Sequence, residues 1–352
     1  MTHVKEDILG LMPNEIIKEL ADMGEQPFRG KQVVNWLYKG INSFGAMTNL
    51  PKSTRQKLES KYKIGSLKQI DRQKSEKGDT IKYLYLLADN NIIECVVMKY
   101  AYGNTLCLST QVGCRMGCSF CASTKEGLVR NLEVGEMVAQ LLIANSDIGR
   151  AEDRGIRNIV LMGSGEPLDN YQNVIKFMRL VHHPDVFNIS YRNITLSTCG
   201  LVPKMKELSQ EDIPITLSIS LHAPNDEIRR KIMPVASAYS VDEIVQAGKY
   251  YFEKTGRRVT FEYSLIDRLN DSEENARELA YRLKDFSCHV NVIPINEIEG
   301  TPYRRSSEYR IESFINTLKS LGLQVTRRRE LGQDIGGACG QLKRGYLDNV
   351  EI

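Results

Sequence analysis

The sequence predicts an α/β protein. It reads as a partial (β/α)6 barrel, an open six-stranded parallel relative of the eight-stranded barrel, preceded by a small helical N-terminal accessory domain. Three observations point there. From about residue 105, apolar β-rich runs alternate with helical stretches. The 352 residues suffice for roughly two domains. Polar and Gly-rich motifs fall just after the strands, where such folds place their sites.

Residues 1–75 read as mostly helical and form the accessory domain. Leu9, Leu11, Ile16, Ile17 and Leu20 mark one segment, and Val33, Val34, Trp36 and Leu37 another. Trp36, the one tryptophan, is expected in the core. Lys74–Asp79 is a turn-rich hinge. Residues 76–104 form a hairpin extension of the core, with strands Thr80–Leu87 and Ile92–Met98 split by Ala88-Asp89-Asn90-Asn91. The core itself spans 105–335. Its expected strands are Leu106–Ser109, Asn158–Met162, Asn193–Ser197, Ile215–Leu221, Val259–Leu265 and Val290–Ile295. Between them, Val134, Met137, Val138, Leu141 and Leu142 keep helical spacing. So do Val174, Phe177, Met178 and Val181; Ala276, Leu279, Ala280 and Leu283; and Ile311, Phe314, Ile315 and Leu318. Residues 336–352 form a C-terminal loop, expected to be mobile. There is no internal repeat or low-complexity tract.

No run of about 18 apolar residues is present, so no transmembrane helix is expected. The first residues lack a signal-peptide apolar region, and the expected setting is the cytoplasm, where thiols stay reduced. Eight cysteines there are metal ligands, catalytic groups or buried residues rather than a disulfide framework. Net charge is +3, but residues 52–77 carry nine Lys/Arg against three acids. Further basic clusters lie at Arg229-Arg230-Lys231, Arg304-Arg305, Arg327-Arg328-Arg329 and Lys343-Arg344. This distribution suits a phosphate backbone and equally a solvated surface.

The chemistry centres on Cys114, Cys118 and Cys121, a CxxxCxxC run. It offers three thiolates, and a four-iron cluster usually takes four. Three leave one iron open to another ligand. A structural zinc would need a fourth ligand, usually from a second pair, and the adjacent His182 and His183 are poorly spaced for one ion. The second motif, Met162-Gly163-Ser164-Gly165-Glu166-Pro167-Leu168, follows a strand. Its glycines permit close backbone approach, and Glu166 can accept from an ammonium. The third, Asp334–Leu342, sets Cys339 among small residues.

Together these residues resemble the radical S-adenosylmethionine (SAM) superfamily. Within it, Ala338–Leu342, Cys107 in its Leu106–Gly113 run and the Ser220–Asp226 string resemble the RlmN/Cfr family of RNA adenine methyltransferases. The likeness runs over nearly the whole chain, including Pro27–Tyr38. It implies a radical SAM barrel and a [4Fe–4S] cluster on Cys114, Cys118 and Cys121, with SAM on the open iron. Gly165, Glu166, Ser197, Ser220, Leu221, His222 and Asn296 would contact SAM. An electron from the cluster would cleave SAM to a 5′-deoxyadenosyl radical.

The resemblance also implies why two further cysteines are needed. An adenine ring carbon is electrophilic and resists a methyl cation donor. Cys339 would first accept a methyl group from one SAM. The radical from a second SAM would remove a hydrogen from that methyl, and the methylene would add to the ring. Glu94 would accept the ring proton, and Cys107 would release the product through a transient disulfide with Cys339. The implied reaction is methylation of adenosine carbon 2 in 23S rRNA and in tRNA anticodon loops. The implied partners are RNA and a low-potential electron donor such as flavodoxin or ferredoxin. No membrane partner is expected, and the chain is expected to be a monomer. Carbon-8 methylation, as in Cfr, is the alternative; a zinc RNA-binding module and an iron–sulfur electron carrier are the others. Cys95, Cys199 and Cys288 match no family role and read as buried small hydrophobes. Gly336-Gly337-Ala338 stands where the family commonly has Asp-Ala-Ala, which is expected to loosen the loop.

Overall fold

The structure is a computed structural model that describes residues 5–65, 67–149 and 155–342. Of the expected C-terminal loop, residues 343–352, which include Lys343-Arg344, lie outside the described residues.

The chain opens with β1 (Glu6–Asp7), then helices α1 (Pro13–Asp22), α2 (Pro27–Leu37) and α3 (Lys52–Lys61), and β2 (Tyr62–Lys63), which pairs in parallel with β1. Pro13 starts α1, and Glu15 turns back to accept from the Met12 amide at 2.6 Å. Ile16 and Leu20 then bury against the same core as Val33, Val34 and Leu37. Trp36 packs against the edge of that core rather than inside it. It is half-buried, with its indole N–H donating to Asn49 Oδ1 at 2.6 Å and Lys39 over its ring. The polar indole edge needs a partner, and the domain surface supplies one.

The helical reading of residues 1–75 also ends early. Lys68–Lys74 is strand β3, the outer edge of the main sheet. Its sequence KQIDRQK holds one apolar residue, so neither period shows in it. It pairs antiparallel with β4 (Thr80–Leu86), which pairs with β5 (Ile92–Tyr100), which pairs with β6 (Gly103–Cys107). A short ribbon follows, β7 (Gln111–Gly113) with β8 (Leu128–Asn131).

Next come α4 (Val134–Asp147), β9 (Ile156–Leu161), α5 (Tyr171–His182), β10 (Ile194–Thr198), α6 (Val202–Leu208) and β11 (Thr216–Ser220). Helices α7 (Asp226–Ile232) and α8 (Val241–Thr255) lead to β12 (Val259–Leu265). Then α9 (Glu273–Leu283), β13 (Cys288–Pro294), α10 (Glu308–Ser320) and β14 (Gln324–Arg327) complete the pattern. Caps set the helix ends. Ser240 and Glu243 box the start of α8, and Gly256, at φ +64°, closes it in the left-handed conformation.

The main sheet has ten strands in the order β14-β13-β12-β11-β10-β9-β6-β5-β4-β3. From β6 to β14 every neighbouring pair is parallel, because a helix or helical segment carries the chain back between strands. The six expected strands are all present, and β14 adds a seventh to the parallel part. Its sequence, Gln324-Val325-Thr326-Arg327, buries Val325 alone, so an edge strand gave no apolar run. Leu161, Leu196, Leu217, Ile219, Phe261 and Val290 pack with Met137, Phe177, Leu279 and Phe314 from the helices. The strands curve: Arg328, just past β14, lies 3.7 Å from Met162 Sδ, just past β9. The concave side and the carboxyl ends of the parallel strands face one cavity.

Candidate active site

The ribbon β7–β8 holds the cysteine loop by its ends. The Cys114 amide donates to Gly127 O at 3.1 Å. Thr124 Oγ1 donates to the carbonyls of Cys118 (3.0 Å) and Cys121 (2.9 Å). Cys114, Cys118 and Cys121 all line a cavity of about 970 Å³, part of it open to solvent. Burial pushes all three thiols up, Cys114 to about 12, and the neighbouring thiols add to the rise for Cys114 and Cys118.

Among the described residues no three His, Cys, Asp or Glu groups converge on one metal-ion position. The residues around the loop fit an anionic cluster. Arg229 is wholly buried, and it donates to the carbonyls of Leu221 (3.1 Å), Cys199 (2.5 Å) and Ser220 (3.2 Å). Its Nη1 has no partner, and its charge acts on Cys118. A buried guanidinium with an orphan N–H asks for an anion at that spot.

The Gly-rich loop after β9 is clamped to the loop after β6. Gly163 N donates to Leu108 O at 3.0 Å, Ser164 N to Ser109 Oγ at 2.9 Å, and Glu166 N to Gln111 Oε1 at 2.8 Å. Gly165 has φ +109°, and a Cβ there would lie 2.6 Å from Gln111 Cβ. Glu166 is buried and accepts from Leu168 N (3.1 Å) and Cys199 N (2.8 Å). Burial raises its carboxyl, and those backbone bonds oppose the rise. A Gly165→Ala substitution should therefore cost about 1–3 kcal/mol of stability and weaken SAM binding at least about tenfold. Thermal melts and calorimetric titration with SAM would measure both.

Gly165, Glu166, Ser197, Ser220, His222 and Asn296 line the same cavity. Leu221 does not. Its side chain is fully buried in the main core, and its carbonyl is taken by Arg229. It follows β11 in the strand alternation, so its neighbours Ser220 and His222 face the cavity. His222 sits at φ +57°. Its Nδ1 accepts from the Ser264 amide at 3.0 Å, which places its proton on Nε2. Burial, aided by Arg229, lowers its pKa to about 3, so it is a fixed neutral donor rather than an acid–base group. Phe120 meets its ring edge-on at 5.0 Å.

Asn296 has a second task. Its Nδ2 donates to the Cys339 carbonyl at 3.0 Å, and its Oδ1 accepts from Gln333 at 2.8 Å. The Cys339 loop is tied down elsewhere too. Ala122 N donates to Gly340 O at 2.8 Å, Ser123 Oγ to Leu342 O at 2.7 Å, and Gly337 N to Gly332 O at 2.7 Å. Residues 336–342 of the C-terminal loop thus dock on the cysteine run. Gly336, at φ +59°, serves a left-handed turn rather than slack.

Cys339 lines the main cavity and an adjoining one of about 700 Å³, whose wall includes Cys107, Met98 and Arg329. Cys107 is buried among Val96, Leu342 and Met162. Burial first, and then Cys339, push its thiol up to about 12. Glu94 lines neither cavity. It is buried, not solvent-facing, and it pairs with Lys82 at 3.5 Å. It lies two residues before Val96 on β5, so it shares the Cys107 face of the sheet. Lys82 Nζ lies 3.5 Å from where a Gly336 Cβ would be, which brings the pair to the base of the Cys339 loop.

Three cavity residues escaped the sequence reading. Cys199 lines the cavity, and its backbone serves Glu166 and Arg229. Arg328, 21% exposed, reaches Glu262 Oε2 at 3.5 Å, and Cys339 is the chief influence holding its proton more firmly than usual. Glu262 also accepts from Ser218 (2.7 Å) and Asn291 (2.8 Å). A charged residue inside the fully buried strand Val259–Leu265 was the one available signal. Of the basic clusters, Arg305 and Arg327 are bound to Glu308 and Glu330, so much of that charge is internal.

The geometry agrees with three comparisons. The radical SAM superfamily pattern matches residues 108–280, and the ribosomal RNA large subunit methyltransferase N-terminal domain matches residues 6–64. The chain is 51% identical over 346 residues to the "probable dual-specificity RNA methyltransferase RlmN" of Clostridium acetobutylicum, covering 98% of this chain and 99% of that one. It is 52% identical over 345 residues to the protein of the same description from Alkaliphilus oremlandii, with coverage of 98% and 99%. A crystal structure of a radical SAM methyltransferase from Sphaerobacter thermophilus matches with a TM-score of 0.92. The two are 41% identical, over 96% of this chain and 99% of that one.

Proposed function

The chain belongs to the RlmN family of radical SAM RNA methyltransferases, and from that premise we propose that it methylates carbon 2 of adenosine in 23S rRNA and in tRNA anticodon loops through a methyl group carried on Cys339. It is an enzyme whose cofactors are a [4Fe–4S] cluster and SAM. The observation that carries the reading is the placement of two further thiols, Cys107 and Cys339, on one cavity beside Cys121.

Cys114, Cys118 and Cys121 would hold the cluster, with Arg229 offsetting its negative charge. When bound, cluster and SAM supply a transferable methyl group and, on one-electron reduction, a hydrogen-abstracting radical. Gly165 and Glu166 would receive the amino-acid end of SAM, and Ser197, Ser220 and His222 the rest. Asn296 would fix the Cys339 loop as well as meet SAM.

Cys339 accepts the methyl as a thiolate and loses a proton. The S-methyl then loses one hydrogen atom and its carbon bonds to the ring, leaving protein and RNA joined. The ring would give up one electron, returned to the oxidised cluster, and one proton, to Glu94. The Cys107 thiolate attacks the Cys339 sulfur, the sulfur–carbon bond breaks as the leaving carbon takes a proton from solvent, and a disulfide forms as the methylated base departs. External thiols reduce that disulfide.

The accessory helices and the basic 52–77 stretch would dock RNA. A flavodoxin or ferredoxin would supply the electron to a monomeric, cytoplasmic enzyme. No helix among the described residues is long and apolar enough to cross a membrane.

Mass spectrometry of nucleosides from 23S rRNA and tRNA, after incubation with reconstituted enzyme, tests the reading. It predicts 2-methyladenosine; 8-methyladenosine would overturn the carbon-2 assignment. The buried Cys107 thiol adds a pH dependence. Burial raises its pKa to about 12, so near neutrality it is protonated and its thiolate fraction grows about tenfold per pH unit. Decay of the RNA–protein adduct, followed by quench-flow, should therefore speed up with pH from 7 to 9. A flat profile would mean that Cys107 ionisation does not limit release.

A further inference from the structure

We propose that the turn joining β5 to β6 is a base-stacking rim, on which a nucleotide flanking the target adenosine packs against Tyr102. The inference rests on the RNA methyltransferase reading and adds a substrate contact to it.

Tyr100 ends β5, and Tyr102 sits two residues on, in the turn before β6. Their rings lie parallel within 8°, with centroids 4.9 Å apart. Tyr102 is 68% exposed. One ring face is covered by Tyr100, so the exposure belongs to the rest of the ring. A hairpin turn asks for small polar residues, and a solvent-facing tyrosine there serves no core. The stack does have a base. Tyr100 donates its hydroxyl to Met98 Sδ at 3.6 Å, and Met98 lines the cavity that holds Cys107 and Cys339.

Two arginines stand by the rim, Arg328 paired with Glu262 and Arg329 with Asp79, and Glu330 lines the same cavity. Arg328 and Arg329 both line that cavity, and both bear electrostatically on the Tyr102 phenol. Arg329 is 62% exposed and meets Asp79 at 3.4 Å. An exposed aromatic face beside a solvent-facing guanidinium is the pairing that binds single-stranded nucleic acid: the ring takes a base, the cation a phosphate. It also suits a target that must leave its stack to be modified. An adenosine turned into the cavity deprives its neighbour of a stacking partner, and Tyr102 would replace it. An apolar protein partner would gain little from two flanking arginines.

The test uses the reconstituted holoenzyme and an RNA hairpin substrate with 2-aminopurine at each position flanking the target in turn. Binding to the unaltered enzyme should quench the fluorophore at one position. Tyr102→Ala should abolish that quench and raise KM for RNA about tenfold, with kcat and RNA-independent methylation of Cys339 unchanged. Tyr102→Phe keeps the ring and should behave as the parent. Arg329→Ala should lower the slope of log affinity against log salt by about 0.7. A Tyr102→Ala enzyme with the parent's quench and KM overturns the proposal, as does a Tyr102→Phe enzyme as weak as Tyr102→Ala. Failure of the underlying reading looks different: the unaltered enzyme would then methylate no RNA at all.

Discussion

Replacing Cys107 with alanine should leave RNA covalently joined to the protein through Cys339. The joined species is a thioether between Cys339 and the base, and it does not fall apart by itself. A second sulfur must attack Cys339 for the carbon to leave. Cys107 is the cysteine that shares the adjoining cavity wall with Cys339 besides Cys121, which is committed to the cluster in this account. Cys95, on the neighbouring strand, faces the main core instead and is fully buried. The alanine variant should lose turnover by about a thousandfold or more, while a band of protein plus RNA accumulates on a denaturing gel. Removing a buried thiol from the cluster of Val96, Leu342 and Met162 should cost about 1 kcal/mol of stability, too little to unfold the chain. The Cys339→Ala enzyme provides the contrast, with neither product nor adduct. Normal turnover by the Cys107 variant would refute its releasing role.

The second large effect belongs to Cys118→Ala. Cys118 sits in the middle of the CxxxCxxC run, its thiol feels the charge of Arg229, and its carbonyl is held by Thr124. Three thiolates are already one short of a cluster's usual complement, so two cannot be expected to hold four irons. Reconstituted protein should lose its iron and acid-labile sulfide almost entirely, the absorbance of the cluster with them, and all 5′-deoxyadenosine formation. Circular dichroism should stay near that of the parent, because the loop is also pinned by backbone bonds at Cys114 and Ser119. A variant that retained four irons and cleaved SAM would show that the cluster sits elsewhere.

Much of this was legible in the chain because its signals are local. The three cysteines occupy one loop, and Gly163–Glu166 one turn. The parallel strands from Asn158 to Ile295 carry buried apolar residues in short runs or alternation, which need no partner to be recognised. The features that escaped are those set by neighbours. Strands β3 and β14 are edges, with one face and one rim in solvent, so KQIDRQK and QVTR carry no period. Arg328 and Glu262 are 66 residues apart and meet through the curvature of the sheet. Arg229 read as one member of a surface cluster, yet it is the largest fully buried side chain among the described residues. Leu221 shares its motif with Ser220 and His222, and strand alternation turns its side chain into the core. The Cys339 loop looked slack because its sequence is rich in glycine, whereas those glycines fit the tight turns that dock it.

The central claim is that the transferred carbon passes through Cys339 and loses one hydrogen on the way. Counting deuterium in the product tests it most directly. Enzyme stripped of any prior methyl group is given SAM deuterated in all three methyl positions, and the modified adenosine is read by mass spectrometry. The account predicts a methyl group with two deuterons and one solvent proton, and 5′-deoxyadenosine carrying the third deuteron. A methyl group that arrives with all three deuterons would mean direct transfer from SAM to the base, and would contradict the role given to Cys339.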